Sequence, residues 1–324
     1  MTPFRLPARR ALAPVALAAA AGLLLAGCAR DERPTDTAGD GATYTVEHEL
    51  GTTEIPVDYD RVAVTFTALA DSAIAVGVVP VAAPKSFSGF PAYLGIDDSE
   101  VASLGDSDSE IDIELMGAQE PDLILMNMES GTAIEDTDYE QLSQVAPTVP
   151  IITGEQNPVK VAEQVAVALD RVEEMAEVAA AYETHATAVR EALAEVPAAA
   201  LPVSQVRLRP DHVRMMMEGT NAGVAMVDAG LVFEEPIAEV EDGGYYEISL
   251  ELLPEATGDY VFVYSTDEGV LENVQTLPIW QEVPAVQNGT VFDVDFEAWM
   301  RGQGYLALNE VLDEIAAAYG VTAD

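Results

Sequence analysis

The chain has 324 residues, 57 of them acidic and 14 basic, for a formal net charge of −43. Such a surface repels polyphosphate backbones and anionic headgroups, which excludes nucleic acid as a partner and adsorption to an anionic bilayer. The single cysteine leaves nothing for an internal disulfide or a multi-thiolate metal site.

In chain order, residues 1–27 carry a basic start (Arg5, Arg9, Arg10) and an apolar run, Ala11–Ala26, which predicts a signal peptide. The run is shorter than the ~20 residues a membrane span needs. Leu25-Ala26-Gly27-Cys28 resembles the lipobox of bacterial lipoproteins, implying a lipidated Cys28 that anchors the chain to a membrane. Residues 28–42 then read as the lipidated cysteine and a polar, flexible tether. The remaining length exceeds the usual size of a single core and favours two lobes.

From Tyr44 onward short apolar strand-like runs alternate with helical patterns. Arg61–Phe66 and Val78–Ala83 read as strands around a helix at Leu69–Val76. Ile113–Ala118 and Tyr139–Val145 read as helices, and Leu123–Met126 and Val149–Ile152 as strands. That alternation predicts a parallel sheet covered on both faces. Val159–Leu169 is a short helix. Asp170 with Glu173 reads as an N-cap with its capping-box partner, opening a helix that runs without Gly or Pro to Val196. At ~1.5 Å per residue it is a rod of about 35 Å, long enough to bridge two lobes. Beyond Pro202, Val203–Leu208 and Val213–Met217 are strands around a Pro210-Asp211 turn, and Ala222–Ala229 is helical. Ile248–Leu253 reads as a short helix, Tyr260–Tyr264 and Thr290–Val294 as strands, and Tyr305–Tyr319 as a closing amphipathic helix. The expected fold class is α/β, with two Rossmann-like lobes joined by one long rigid helix, the outline of a binding protein. The expected boundaries are 43–157 for the first lobe, 158–197 for the connecting helices and 198–324 for the second lobe.

Catalytic patterns are missing from the sequence: it has no G-x-S-x-G elbow, Walker loop or H-E-x-x-H. Gly302, Gly304 and Ala307 form a G-x-G-x-x-A that reads as a helix start. The three histidines, His48, His185 and His212, are scattered. A lipid-anchored hydrolase would need a nucleophile and base brought together, and nothing in the spacing suggests one. The expectation is a binding protein, not an enzyme, with no catalytic residue, direct metal ligand or cofactor.

Several segments resemble the iron-siderophore substrate-binding proteins of ABC transporters. They are HELGTTEIPVDYDRVAV, AIAVGVVPVAA, EPDLILM, YEQLSQVAPTV, VSQVRLRPDHVRMM, ISLELLPE, LPIWQEVPAVQNGTVFDVD and GYLALNEVLDEI. Their order and spacing cover about residues 43–320. The resemblance implies a ligand cleft between the lobes, in a monomer that captures a ferric siderophore, Fe(III) included, and hands it to permease and ATPase subunits. A haem or corrinoid carrier is the alternative on the same fold. Ligand contacts are then expected where loops follow strands: Lys85, Phe87, Phe90 and Tyr93 after the strand ending at Ala83, Tyr245 and Tyr246 beside ISLELL, and Trp299 after VFDVD. Each aromatic could instead be core. Asp71 and Asp228 are the acids expected to dock the permease.

Arg207 and Arg209 flank Leu208 and would share a strand face, with Arg214 on the next strand. Three of the nine arginines after residue 28 thus fall within eight residues of a chain that otherwise avoids positive charge. A guanidinium fork suits anionic oxygens around ferric iron. The competing reading is ion pairing with nearby acids.

Overall fold

The computed structural model describes residues 41–85, 89–105, 111–128, 136–153, 157–241, 244–267 and 269–322. The expected signal peptide, Cys28, nearly all of the tether, and Phe87 lie outside these residues.

The first lobe opens with an antiparallel hairpin, β1 (Thr43–His48) and β2 (Gly51–Pro56). There follow β3 (Val62–Val64), α1 (Thr67–Ala75), β4 (Ala82–Ala83), β5 (Ala102–Ser103), α2 (Ile113–Ala118), β6 (Leu123–Met128), α3 (Asp136–Val145) and β7 (Thr148–Ile152). Its sheet is ordered β5-β4-β3-β6-β7, with every pair parallel. Such a sheet is covered on both faces, which is why β3 is apolar and buried at all three positions. The expected strand at Val78–Ala83 pairs only over its last two residues.

Two helices leave this lobe, α4 (Pro158–Ala168) and the 23-residue rod α5 (Val172–Ala194). The expected capping box is absent. Asp170 takes a left-handed φ of 50°, its N–H donates to the Val167 carbonyl, and the N–H of Arg171 donates to Ala166. That bond pair is a Schellman motif, so Asp170 terminates α4 and Arg171 stands at the N-cap of α5. The hydroxyls of Tyr44 and Tyr59 satisfy the carbonyls of Ala168 and Leu169 beside it.

The second lobe holds β8 (Val203–Leu208), β9 (Val213–Met216), α6 (Asn221–Asp228), β10 (Tyr245–Ile248), α7 (Leu253–Ala256), β11 (Tyr260–Ser265), α8 (Val270–Gln275), α9 (Pro284–Asn288), β12 (Val291–Asp293) and α10 (Tyr305–Ala318). The sheet order is β10-β9-β8-β11-β12. It is mixed: β8, β11 and β12 are parallel, and β9 runs antiparallel to both β8 and β10. Tyr245–Ile248 is therefore an edge strand where the sequence suggested a loop leading into a helix.

One continuous apolar core runs from Val62, Leu123 and Leu125 of the first sheet to Val203, Phe262 and Tyr264 of the second. Residues of α1, α4, α5, α6 and α10 fill it between the sheets. The lobes are thus joined by a packed helical layer as well as by the rod. A second core, on the far face of the second sheet, contains Val206, Leu208, Val261, Val263 and Trp280.

Candidate functional site

The C-terminal end of β8 is where the second sheet carries charge. Alternation along β8 sends Val206 and Leu208 into the far core and leaves Arg207 on the other face, half-buried. The register places Arg207 directly opposite Arg214 of β9 and beside Tyr264 of β11. On β10, Glu247 stands opposite Arg214, and Tyr245 opposite Met216.

These arginines are held in different ways. Arg214 donates through Nε to Glu247 Oε1 at 3.0 Å, and its guanidinium lies 4.5 Å above the centre of the Tyr245 ring. Arg209, in the turn after β8, pairs with Asp267 at 3.3 Å. Arg207 meets no carboxylate among the described residues. Its terminal nitrogens reach Met300 Sδ at 3.8 Å and Thr266 Oγ1 at 3.4 Å, both weak acceptors at those distances, and its buried Nε has no partner. Burial, and then the neighbouring Arg209 and Arg214, lower its pKa.

Met300 belongs to a π-helical turn, Glu297–Arg301, that links this site to the first lobe. Arg301 of the same turn pairs with Glu297 and donates to Thr67 Oγ1 at 3.0 Å. Thr67 opens α1 just beyond β3. The arginine cluster therefore sits close to the strand ends of the other sheet, where open α/β sheets bind ligands. A groove along α4 and α5, about 630 Å³, is lined by apolar residues with Glu163, Glu183 and Tyr305, and by no cation.

Other expected contacts fall elsewhere. Trp299 is 1 % exposed. It stacks on Phe262 at 5.0 Å and donates its indole N–H to Glu314 at 2.9 Å. The π-turn points it inward, so it is core and not a ligand contact. Tyr246 is 1 % exposed and belongs to the far core, because strand alternation turns it away from Tyr245. Phe90 is also buried. Lys85 is consumed locally, bonding the Asp98 carbonyl at 2.6 Å and its carboxylate at 3.1 Å. Tyr93 places its hydroxyl in the buried contact between the lobes, where desolvation and the nearby Asp71 raise its pKa.

Asp71 is a correction as well. It is fully buried, so it cannot present an exposed docking acid. Its two oxygens accept the N–H groups of Leu306 and Ala307 at 3.2 and 2.9 Å, capping α10 from the other lobe. Asp228 is half-buried and accepts from the Tyr182 hydroxyl at 2.7 Å. The histidines stay apart, on Thr53, on Asn309 with Asp313, and on Asp211 with Glu247. Met300 and Thr266 were not legible as site residues, since a single sequence gives no signal for a loop side chain that approaches a strand end.

The sequence profile of the periplasmic binding protein family matches residues 62–298. The chain belongs to that family. Among curated periplasmic binding proteins it is 26% identical over 312 residues to one named "Probable siderophore-binding lipoprotein YfiY" from Bacillus subtilis, covering 90% of this chain and 93% of that one. It is 25% identical over 295 residues to the Fe(3+)-citrate-binding protein YfmC of the same organism, covering 87% and 88%. The crystal structure of Staphylococcus aureus SirA complexed with staphyloferrin B superposes with a TM-score of 0.72 at 25% identity, over 87% of this chain and all of that one. As in that periplasmic binding protein fold, two α/β lobes here flank a long helix. Among the described residues, no helix is long and apolar enough to cross a membrane.

Proposed function

We propose that this periplasmic binding protein captures a ferric siderophore outside the cytoplasm and delivers it to the permease and ATPase of an ABC importer, without chemistry of its own. The observation that carries the reading is Arg207, a half-buried guanidinium with no carboxylate partner among the described residues, in a chain of net charge −43. It sits at the strand ends of a fold whose relatives are named for ferric siderophores. A desolvated cation with weak internal acceptors is ready to receive an anionic ligand, and charge-assisted contacts contribute about 1.5–3 kcal/mol each.

The packed layer between the lobes supports a small closure on binding, since a large rotation would have to break that shared core. Lipidation at Cys28 would hold the chain at the membrane, because two acyl chains anchor stably where one does not. The lobes would then span 43–157 and 198–324, with 158–197 connecting them.

The test is tryptophan-quenching titration of protein lacking residues 1–28 against ferric carboxylates, hydroxamates and catecholates, with haem and cobalamin in parallel. Saturable binding of at least one ferric siderophore is expected. Binding of haem or cobalamin alone, or of nothing, overturns the reading.

A further inference from the structure

The arginine cluster carries more than a generic affinity for anions. Arg207 and Arg214 face each other across neighbouring strands, and like charges in directly opposite register destabilise a sheet. No fold requirement explains the pair. Acids outnumber bases 57 to 14 in this chain, yet of the three guanidiniums in the cluster only Arg209 and Arg214 make an ion pair among the described residues, with Asp267 and Glu247. Arg209 takes Asp267, and Glu247 engages Arg214 through Nε alone.

What remains unsatisfied has a definite shape. Arg214 is held by Glu247 through Nε and by the Tyr245 ring, and among the described residues its two terminal nitrogens make no hydrogen bond. Arg207 presents its fork to Met300 Sδ and Thr266 Oγ1, which a better acceptor would displace. Two adjacent planar forks match two carboxylates, each able to accept two parallel hydrogen bonds.

Other ligand chemistries fit less well. A ferric trihydroxamate is neutral and leaves the paired charges uncompensated. A ferric tricatecholate carries negative charge, but on oxygens already bound to iron, so it presents no free carboxylate to a two-bond fork, and the aromatic rings on this side of the sheet are spent on one another. Phe262 stacks on Trp299 and Phe292 at 5.0 and 5.7 Å, and Tyr260 stacks on Tyr319 at 4.4 Å. Tyr245 is half-exposed and already bears Arg214.

Resting on the siderophore reading above, we infer that Arg207 and Arg214 form a double-fork site selecting ferric complexes that present two or more carboxylates, of the citrate or α-hydroxycarboxylate type. Arg207 engages one carboxylate, Arg214 the second, and Met300 with Thr266 shapes the entrance between them.

The experiment is calorimetric titration with three probes: ferric dicitrate, a neutral ferric trihydroxamate and a ferric tricatecholate. Wild type should bind ferric dicitrate most tightly. Arg207→Gln and Arg214→Gln should each weaken ferric dicitrate binding roughly ten- to hundredfold. Arg207→Lys should recover only part of the loss, since an ammonium lacks the fork. Thermal melts on each variant establish that the titrated protein is folded. If wild type prefers the trihydroxamate or tricatecholate, or if Arg214→Gln binds ferric dicitrate as wild type does, the double-fork assignment falls and the siderophore reading stands. If no ferric complex binds, both fall.

Discussion

Trp299 belongs to the scaffold, whereas Arg207 carries the proposed site. The indole is buried flat on Phe262, and its N–H is one of the groups that keep the Glu314 carboxyl satisfied. Trp299→Phe should keep most of the stacking but strand Glu314, which burial already pushes above its ordinary pKa. The expected loss is roughly 1–3 kcal/mol in urea unfolding, with ferric-complex affinity unchanged. Weakened binding at unchanged stability would return Trp299 to the ligand. The sequence could not decide this, because a tryptophan beyond a strand end faces either way. The π-helical turn adds one residue to the helical repeat and moves the indole off the face a regular helix would predict. Arg207 was legible for a different reason. Strand alternation fixes its face, and cations are scarce enough here that three within eight residues stand out. Tyr245 and Tyr246 were half legible. Both lie at the expected place, but once β10 is an edge strand, adjacent residues must take opposite faces.

At the scale of elements, the joint between α1 and α10 does what the rod alone was expected to do. Asp71 reaches from α1 to the first turn of α10, and the chain at Gly304 comes so close that a Cβ there would lie 2.0 Å from Asp71 Oδ1. Gly302 and Gly304 thus mark a helix start, as their spacing suggested, and the reason for glycine at 304 is a carboxylate from the other lobe. Nothing in a single sequence links residue 71 to residue 306, so Asp71 looked like a surface acid on a short helix. Asp71→Ala should leave two buried N–H groups unpaired and cost about 2–4 kcal/mol. Burial raises the Asp71 pKa to about 6 against the opposing pull of those two hydrogen bonds. A raised carboxyl favours the protonated folded state. Its contribution to stability is full below the ordinary carboxylate range and is lost as pH rises through about 6. Asp71→Asn cannot titrate, and its amide N–H₂ must face one of the two helix donors, so it should be less stable than wild type. The difference should narrow as pH rises from 4.5 to 7.5, read by urea unfolding at each pH. A gap that is constant or widens would show that Asp71 stays ionised throughout.

For the whole molecule, the opposing terms are a shared apolar core and a net charge of −43. The core was legible from alternation and length. Its continuity through α1, α4, α5, α6 and α10 was not, because periodicity reports a buried face without saying which sheet covers it. Several of the few cations are engaged in local ion pairs: Lys85 with Asp98, Arg171 with Glu174, Arg209 with Asp267 and Arg214 with Glu247. Exposed pairs of this kind contribute little, about 0–1 kcal/mol each, so screening them costs less than screening the surplus of carboxylates restores. The screening length falls from about 10 Å at 0.1 M salt to about 3 Å at 1 M. If that relieves about 2 kcal/mol of self-repulsion, the melting temperature should rise by roughly 4–8 °C between those salt concentrations. Sodium chloride and potassium chloride should act alike, because the effect depends on ionic strength. The rise should shrink near pH 4.5, where carboxylates with ordinary pKa values of about 4 begin to protonate and the surplus charge falls. Melts across ionic strength at pH 7.5 and pH 4.5 make the check. A melting temperature that falls with salt at pH 7.5 would place the cation pairs ahead of self-repulsion. A rise of equal size at both pH values would assign the stabilisation to salt acting on apolar burial instead of on charge.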